Sequence, residues 1–288
     1  KRFKFRRIKF KIVIIALIFY KVEMSFIDSH CHLKSFHDEL ALDQTLGKAS
    51  SVGVDQMITV GTNSDDWDLY ENLSIIYAGK VFYTVGLHPC YVDKKWATQS
   101  KMIKAFWTRE SKPVALGEIG LDYFRLPKDK NASKDIISLQ IKCFKEQLKI
   151  AKSLDCPIVV HSRDSFEDCL SYIDKSGVNW NKVVFHCFSE GKERMQQIID
   201  RGGTASFTGN ITYGKNKHLH EAIKLQGIDN LMLETDSPYL TPEPNRRDRN
   251  EPSSIPKIAQ FISNILGISE NDVERIIYSR TKTFFNIT

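Results

Sequence analysis

"SLQIKCFKEQLKIAKSLDCPIVVHS", residues 138–162, holds a helix and a strand in immediate succession. Through 138–155, Leu139, Ile141, Cys143, Phe144, Leu148, Ile150, Ala151 and Leu154 fall largely on one stripe at helical spacing, which predicts an amphipathic helix. The apolar run "PIVVHS" at 157–162 then reads as a short strand with a histidine at its end. The next segment, "SFEDCLSYIDKSG", starts a second helix at Ser165 and stops it at Gly177.

This unit recurs along the chain. Strand-like runs occur near 25–30, 56–62, 81–88, 113–120, 157–162, 182–188, 204–210 and 230–236, with helical spacing between them. Strand then helix, eight times over about 260 residues, predicts the α/β class and a single-domain (β/α)8 TIM-type barrel over 24–288. A doubly wound open sheet shares the alternation, but no G-x-G-x-x-G follows the first strand to support its dinucleotide-binding form. The 288 residues, 42% hydrophobic and 26% charged, suffice for a large core and exclude bulk disorder.

The net charge of +6 is local. Residues 1–23 carry eight basic residues and one acid, Glu23; removing them from totals of 41 and 35 leaves 33 bases and 34 acids, a charge of −1. Global charge therefore says nothing about nucleic acid. Residues 1–23 form a basic-hydrophobic extension whose apolar run Ile12–Tyr20 is too short to span a bilayer and has the layout of a secretory signal or anchor. Read as a signal, it directs the chain to the secretory pathway, and it offers a membrane contact. No small-residue cleavage site follows, and a start at Met24 would leave a cytoplasmic domain. The six scattered cysteines, with no C-x-x-C, read as reduced thiols and fit a reducing compartment.

In a barrel, function gathers at the carboxyl ends of the strands. His30 and His32 end the first run, Glu118 the fourth, His161 the fifth, His186 the sixth and Asp236 the eighth. Period-two alternation turns His30 and His32 to the same side, with Asp28 as an acceptor for an imidazole N–H and Glu234 deeper on the face of Asp236. Alternation sends Cys31 and Cys187 the other way, into the core. Each residue alone has an ordinary structural reading. Four imidazoles and two carboxylates on one rim, however, need a common partner, and a divalent metal centre supplies it. Six donors exceed one closed zinc site, so two ions with Glu118 bridging are expected, of the magnesium, manganese or zinc type.

Six blocks carry a family resemblance. "FIDSHCHL" (26–33), "GLHP" (86–89), "GEIGLDYF" (117–124), "VVHSRDS" (159–165), "FHCFSEG" (185–191) and "LETDSPYLTP" (233–242), followed by "RNEP" (249–252), resemble in order the TatD family of metal-dependent deoxyribonucleases, within the amidohydrolase-like superfamily. The resemblance implies a (β/α)8 fold, divalent ions held by His30, His32, Glu118, His161, His186 and Asp236, and hydrolysis of DNA phosphodiesters, often from the 3′ end. The extension at 1–23 has no counterpart in the family pattern. Arg247 and Asp248 stand where members more often carry a glycine and a basic residue.

Asp236, a ligand that also accepts protons, is the expected general base, with Glu118 the second catalytic carboxylate. Substrate contacts are expected from His88, Arg163 and Arg125 on phosphates and from Tyr123 and Tyr213 on unpaired bases. The expected partner is DNA, single-stranded or at 3′ ends, with no obligate protein partner. Two rivals remain at this stage: ester or amide hydrolysis, such as release of D-amino acids from tRNA, and a membrane-tethered nucleic-acid binder.

Overall fold

The structure, a computed structural model, describes residues 25–287. The extension expected at 1–23 and the alternative start at Met24 lie outside the described residues.

Eight parallel strands follow one another in sequence order around the sheet: β1 (Phe26–Cys31), β2 (Val54–Thr59), β3 (Val81–Val85), β4 (Ala115–Asp122), β5 (Ile158–Arg163), β6 (Val183–Phe185), β7 (Thr204–Phe207) and β8 (Met232–Leu233). Closure comes just past β8, where the Asp236 N–H donates to His30 O at 2.9 Å and the His32 N–H donates to Ser237 O at 2.9 Å. The fold is therefore the expected barrel rather than the open sheet. Helices cover its outside: α1 (Lys34–Asp38), α2 (Leu42–Ser51), α3 (Trp67–Ile76), α4 (Trp96–Phe106), α5 (Lys130–Leu154), α6 (Phe166–Ser176), α7 (Lys192–Ile199), α8 (His218–Gln226), α9 (Ile255–Leu266) and α10 (Glu270–Phe285). Among the described residues, no helix is long and apolar enough to cross a membrane.

The opening stretch folds as its spacing predicts. In α5, Cys143, Phe144, Leu148, Ile150 and Ala151 are buried against the barrel, and β5 follows at once. Gly177 ends α6 in the left-handed region at φ +71°, where glycine meets no Cβ penalty. Two apolar compartments result. The larger lies between strands and helices. The smaller lines the barrel with Ile58, Val60, Ala115, Val159, Val184 and Met232, joined by Phe284, Phe285 and Ile287 from the C-terminal end of the chain.

Several strands are shorter than their apolar runs, β6 and β8 most of all. β6 ends at Phe185 and β8 at Leu233, although the runs extend to 188 and 236. The backbone turns at positive φ at Cys187 (+47°) and Asp236 (+52°), which extended strands do not allow. Beyond β8, the Thr235 N–H leaves the ladder and donates to the Asp28 carboxylate at 2.9 Å.

Candidate metal centre

Glu118 is the middle of the site. Its side chain leaves β4 almost fully buried, and its two oxygens face different partners. Oε1 lies 2.7 Å from His161 Nδ1 and 2.7 Å from His186 Nε2, while Oε2 lies 3.5 Å from His30 Nε2. On the far side, Asp236 Oδ1 stands 3.2 Å from His32 Nε2 and 3.6 Å from His30 Nε2. The two histidines of "FIDSHCHL" meet at 3.4 Å between their Nε2 atoms, and the His30 ring stacks on His186 with centroids 4.0 Å apart. The six rim residues thus form one cluster, drawn from β1 and the residue just past it, from β4 and β5, and from the turns after β6 and β8.

Electrostatics fit a cation here. Burial works to raise the Glu118 carboxyl, but the imidazoles of His186, His88 and His161 overcome it and hold the group well below the carboxylate range. Asp236 is depressed in the same way, against its burial, by His32 and His30. Among the described residues, neither carboxylate pairs with lysine or arginine. The donors are imidazole nitrogen and carboxylate oxygen, the set that suits divalent ions such as zinc or manganese. The residues fit a metal centre.

The atoms behind each ring sort the imidazoles by role. His161 has Nδ1 toward Glu118, while its Nε2 lies 3.1 Å from Asp122 Oδ2, a pure acceptor that keeps a proton on Nε2. The Nδ1 lone pair is then available to a metal. His186 also turns Nε2 inward, and its Nδ1 lies 3.4 Å from Glu234 Oε1 without forming a hydrogen bond. Glu234 is itself held by the Ser206 hydroxyl at 2.6 Å and the Cys187 N–H at 2.5 Å.

His88 is the opposite case. Its Nε2 points into the cluster, 3.2 Å from Glu118 Oε1 and 3.2 Å from His161 Nδ1, close enough to pass for a ligand. Yet the Cys90 N–H donates to its Nδ1 at 3.1 Å, and burial pushes its pKa down to about 4. A neutral ring whose Nδ1 accepts must carry its proton on Nε2. His88 is therefore an N–H donor aimed at the site rather than a ligand.

Several expectations are corrected. Asp28 does not meet an imidazole: it accepts the His30 and Thr235 N–H groups and contacts the Thr235 hydroxyl, tying β1 to the segment after β8. Burial raises its pKa to about 8. Tyr123 alternates with site-facing Asp122 and so points outward, where its hydroxyl donates to Asp168 of α6 at 2.7 Å. Tyr213 is buried, with its hydroxyl donating to Thr241 O at 3.0 Å and the Arg246 guanidinium over its ring. The Tyr213 ring is therefore covered, and the Tyr123 hydroxyl is engaged on the outer side of the barrel. Cys31 is in the core as expected, but Cys187 is half-buried, because positive φ breaks the alternation there. Arg163 lies over the exposed Phe124 ring at 3.9 Å, and Arg125 is exposed on the same loop, its N–H donating to Asp122 Oδ1 at 2.9 Å.

Asp122 went unread in the sequence. Burial opposes its ionisation, but His161 and the Arg125 N–H hold it well below the usual range. The signal was present: it stands four residues after Glu118 on one strand, hence on the same face.

Comparison with known proteins identifies the family. A family model described as TatD related DNase matches residues 27–286. The uncharacterized metal-dependent hydrolase YabD of Bacillus subtilis is 30% identical over 270 residues, covering 90% of this chain and 98% of that protein. The uncharacterized metal-dependent hydrolase YcfH of Escherichia coli is 29% identical over 269 residues, covering 92% and 97%. The crystal structure of the TatD homologue YjjV from Escherichia coli matches with a TM-score of 0.82 at 25% identity, covering 91% of this chain and 98% of that one. A TatD family hydrolase from Entamoeba histolytica matches with a TM-score of 0.78 at 25% identity, covering 92% and 99%. Because the similarity runs through the barrel from β1 into α10, it concerns the whole described molecule, and the chain belongs to the TatD family of metal-dependent hydrolases.

Proposed function

We propose that this hydrolase cleaves DNA phosphodiester bonds, working inward from the 3′ end of a single strand, with two divalent ions held side by side. The observation that carries the two-ion reading is Glu118, whose separate oxygens face His161 and His186 on one side and His30 on the other. His30, His32 and Asp236 would hold one ion and His161 and His186 the second, with Glu118 shared between them. When bound, such ions polarise a phosphoryl oxygen and acidify water. The description of the family as related to DNases supports the substrate class.

The chain's own residues supply the rest. Asp236 is ionised at neutral pH and keeps a small exposed edge, so it can take a proton from the attacking water. His88 offers its Nε2–H to a phosphate oxygen, and its low pKa keeps it a neutral donor throughout the physiological range. Asp122 holds His161 in the tautomer that leaves its inner lone pair free, and Glu234 places a carboxylate 3.4 Å from the outer nitrogen of His186. Arg163 and Arg125, on neighbouring strand ends, bring positive charge to the rim for the phosphates beyond the scissile bond.

Single-stranded DNA labelled at its 5′ end, incubated with the protein and magnesium, manganese or zinc, tests this directly. The expected product is a ladder that shortens from the 3′ end, abolished by chelation and by Glu118→Gln. Full activity of Glu118→Gln or Asp236→Asn, or release of amino acid from charged tRNA without loss of nucleotides, refutes it.

A further inference from the structure

The aromatic residues among the large exposed apolar side chains are Tyr91, Phe124 and Tyr239, and all three stand in loops that follow strands, on the face that carries the metal centre. Exposed aromatic rings gain little from folding, so their concentration on one face asks for an occupant. Two of them stand against the cluster itself. The Tyr91 ring lies 5.6 Å from His88, beside the imidazoles that face Glu118 Oε1. The Tyr239 ring lies 6.3 Å from His32, beside Asp236 at the other end. The tyrosines therefore bracket the centre.

Their backbones are held while their rings are open. Tyr91 ends the short 3-10 turn Pro89–Tyr91, and its N–H donates to His88 O at 2.9 Å. Tyr239 donates its N–H to Asp236 O at 3.0 Å and accepts the Asn250 side-chain amide at 2.6 Å. Asn250 is fully buried and also donates to Thr235 O at 2.9 Å, which gives the "RNEP" block a role in fixing this loop. In contrast to Tyr123 and Tyr213, neither ring is tied through its hydroxyl to another described residue. Tyr91 and Tyr239 are 54% and 61% exposed, so much of each ring surface is available to a planar ligand.

We propose that Tyr91 and Tyr239 form the two sides of a base clamp, each ring stacking on one of the nucleobases that flank the scissile phosphate. The inference rests on the DNA-hydrolase reading and deepens it, because it names the feature of the substrate that is recognised. A base inside a duplex is covered on both faces by its neighbours, so the clamp accepts unpaired ends and rejects paired ones. Stacking reads the π-face that every base has, so it adds affinity without sequence preference.

The test uses metal-loaded protein and two fluorescent single-stranded oligonucleotides whose 3′-terminal linkages are phosphorothioates that resist cleavage. One has normal bases and the other has abasic residues at the last two positions. With two stacked bases removed, the clamp requires the abasic strand to bind about thirtyfold more weakly or worse. Tyr91→Leu and Tyr239→Leu should each shrink that ratio, and Tyr91→Phe and Tyr239→Phe should preserve it. Equal binding of both strands, or a ratio unchanged by the leucine variants, overturns the proposal. Cleavage is scored separately with ordinary linkages. Cleavage without base-dependent binding leaves the DNA-hydrolase reading and removes the clamp, whereas base-dependent binding without cleavage does the reverse.

Discussion

Replacing Asp122 by asparagine should damage the metal centre more than replacing it by alanine, although asparagine is the closer match in shape. Asp122 Oδ1 accepts the Arg125 N–H at 2.9 Å, and Oδ2 faces His161 Nε2 at 3.1 Å. An amide has one acceptor and one donor, and the Arg125 N–H takes the acceptor. The NH2 group then faces His161, whose Nε2 must give up its proton and accept, driving the proton to Nδ1, the atom that faces Glu118. The ring would thus present an N–H where the centre needs a lone pair. Loss of a carboxylate behind a metal-bound histidine typically lowers metal affinity by about 10- to 100-fold, or ~1.4 to 2.8 kcal/mol. Asp122→Asn belongs at or beyond the upper end of that range, and Asp122→Ala, which leaves the tautomer free, nearer the lower. Titration of manganese by calorimetry, or by competition with a chelator, measures both, with melting temperatures to confirm that the variants fold. Equal affinity for the two variants, or wild-type affinity in Asp122→Asn, would refute the tautomer argument.

Further consequences can be checked independently. Burial raises the Asp66 carboxyl to about 6, so the folded protein keeps a proton there that the unfolded chain releases near pH 4. Stability from this group therefore falls as pH rises from about 4 to 6, by at most about 3 kcal/mol, and is flat above. Denaturant melts across that window should show a slope that Asp66→Asn reduces; an unchanged slope counts against the assignment. Gly120 has φ +147°, and a Cβ there would lie 1.9 Å from His161 O. Gly120→Ala should lose about 3 kcal/mol or more by urea unfolding and displace a metal ligand, and native stability with full metal content would contradict this. Chelation should lower the melting temperature by about 5 °C or more if ions bind at hundredfold saturation, since each then adds ~2.7 kcal/mol. A melting curve indifferent to chelator would argue against a structural grip on the ions.

The segment 138–162 shows how much of this fold is readable along the chain. Its helical stripe and the strand behind it depend on residues a few positions apart, and the same local pattern, repeated eight times, carries the barrel. The rim residues were readable for a related reason: a strand's end is marked by where its apolar run stops, and parallel connections bring all such ends to one face. Past the strand ends this logic fails. Positive φ at Cys187 and Asp236 resets the alternation, and nothing nearby in sequence announces it.

The amino-acid sequence by itself determined the strand and helix alternation, the carboxyl-end histidines and carboxylates, and the family. Only the tertiary structure decided which atom of each ring faces inward, because that depends on partners from distant segments. Asp122 stands behind His161, Glu234 behind His186, and the Cys90 N–H behind His88. The same holds for the aromatics: Tyr123 and Tyr213 are claimed by Asp168 and Thr241, while Tyr91 and Tyr239 are left open beside the cluster. A period of two or 3.6 residues tells which way a side chain starts out, but its proton and its neighbours are set by whatever the fold places across from it.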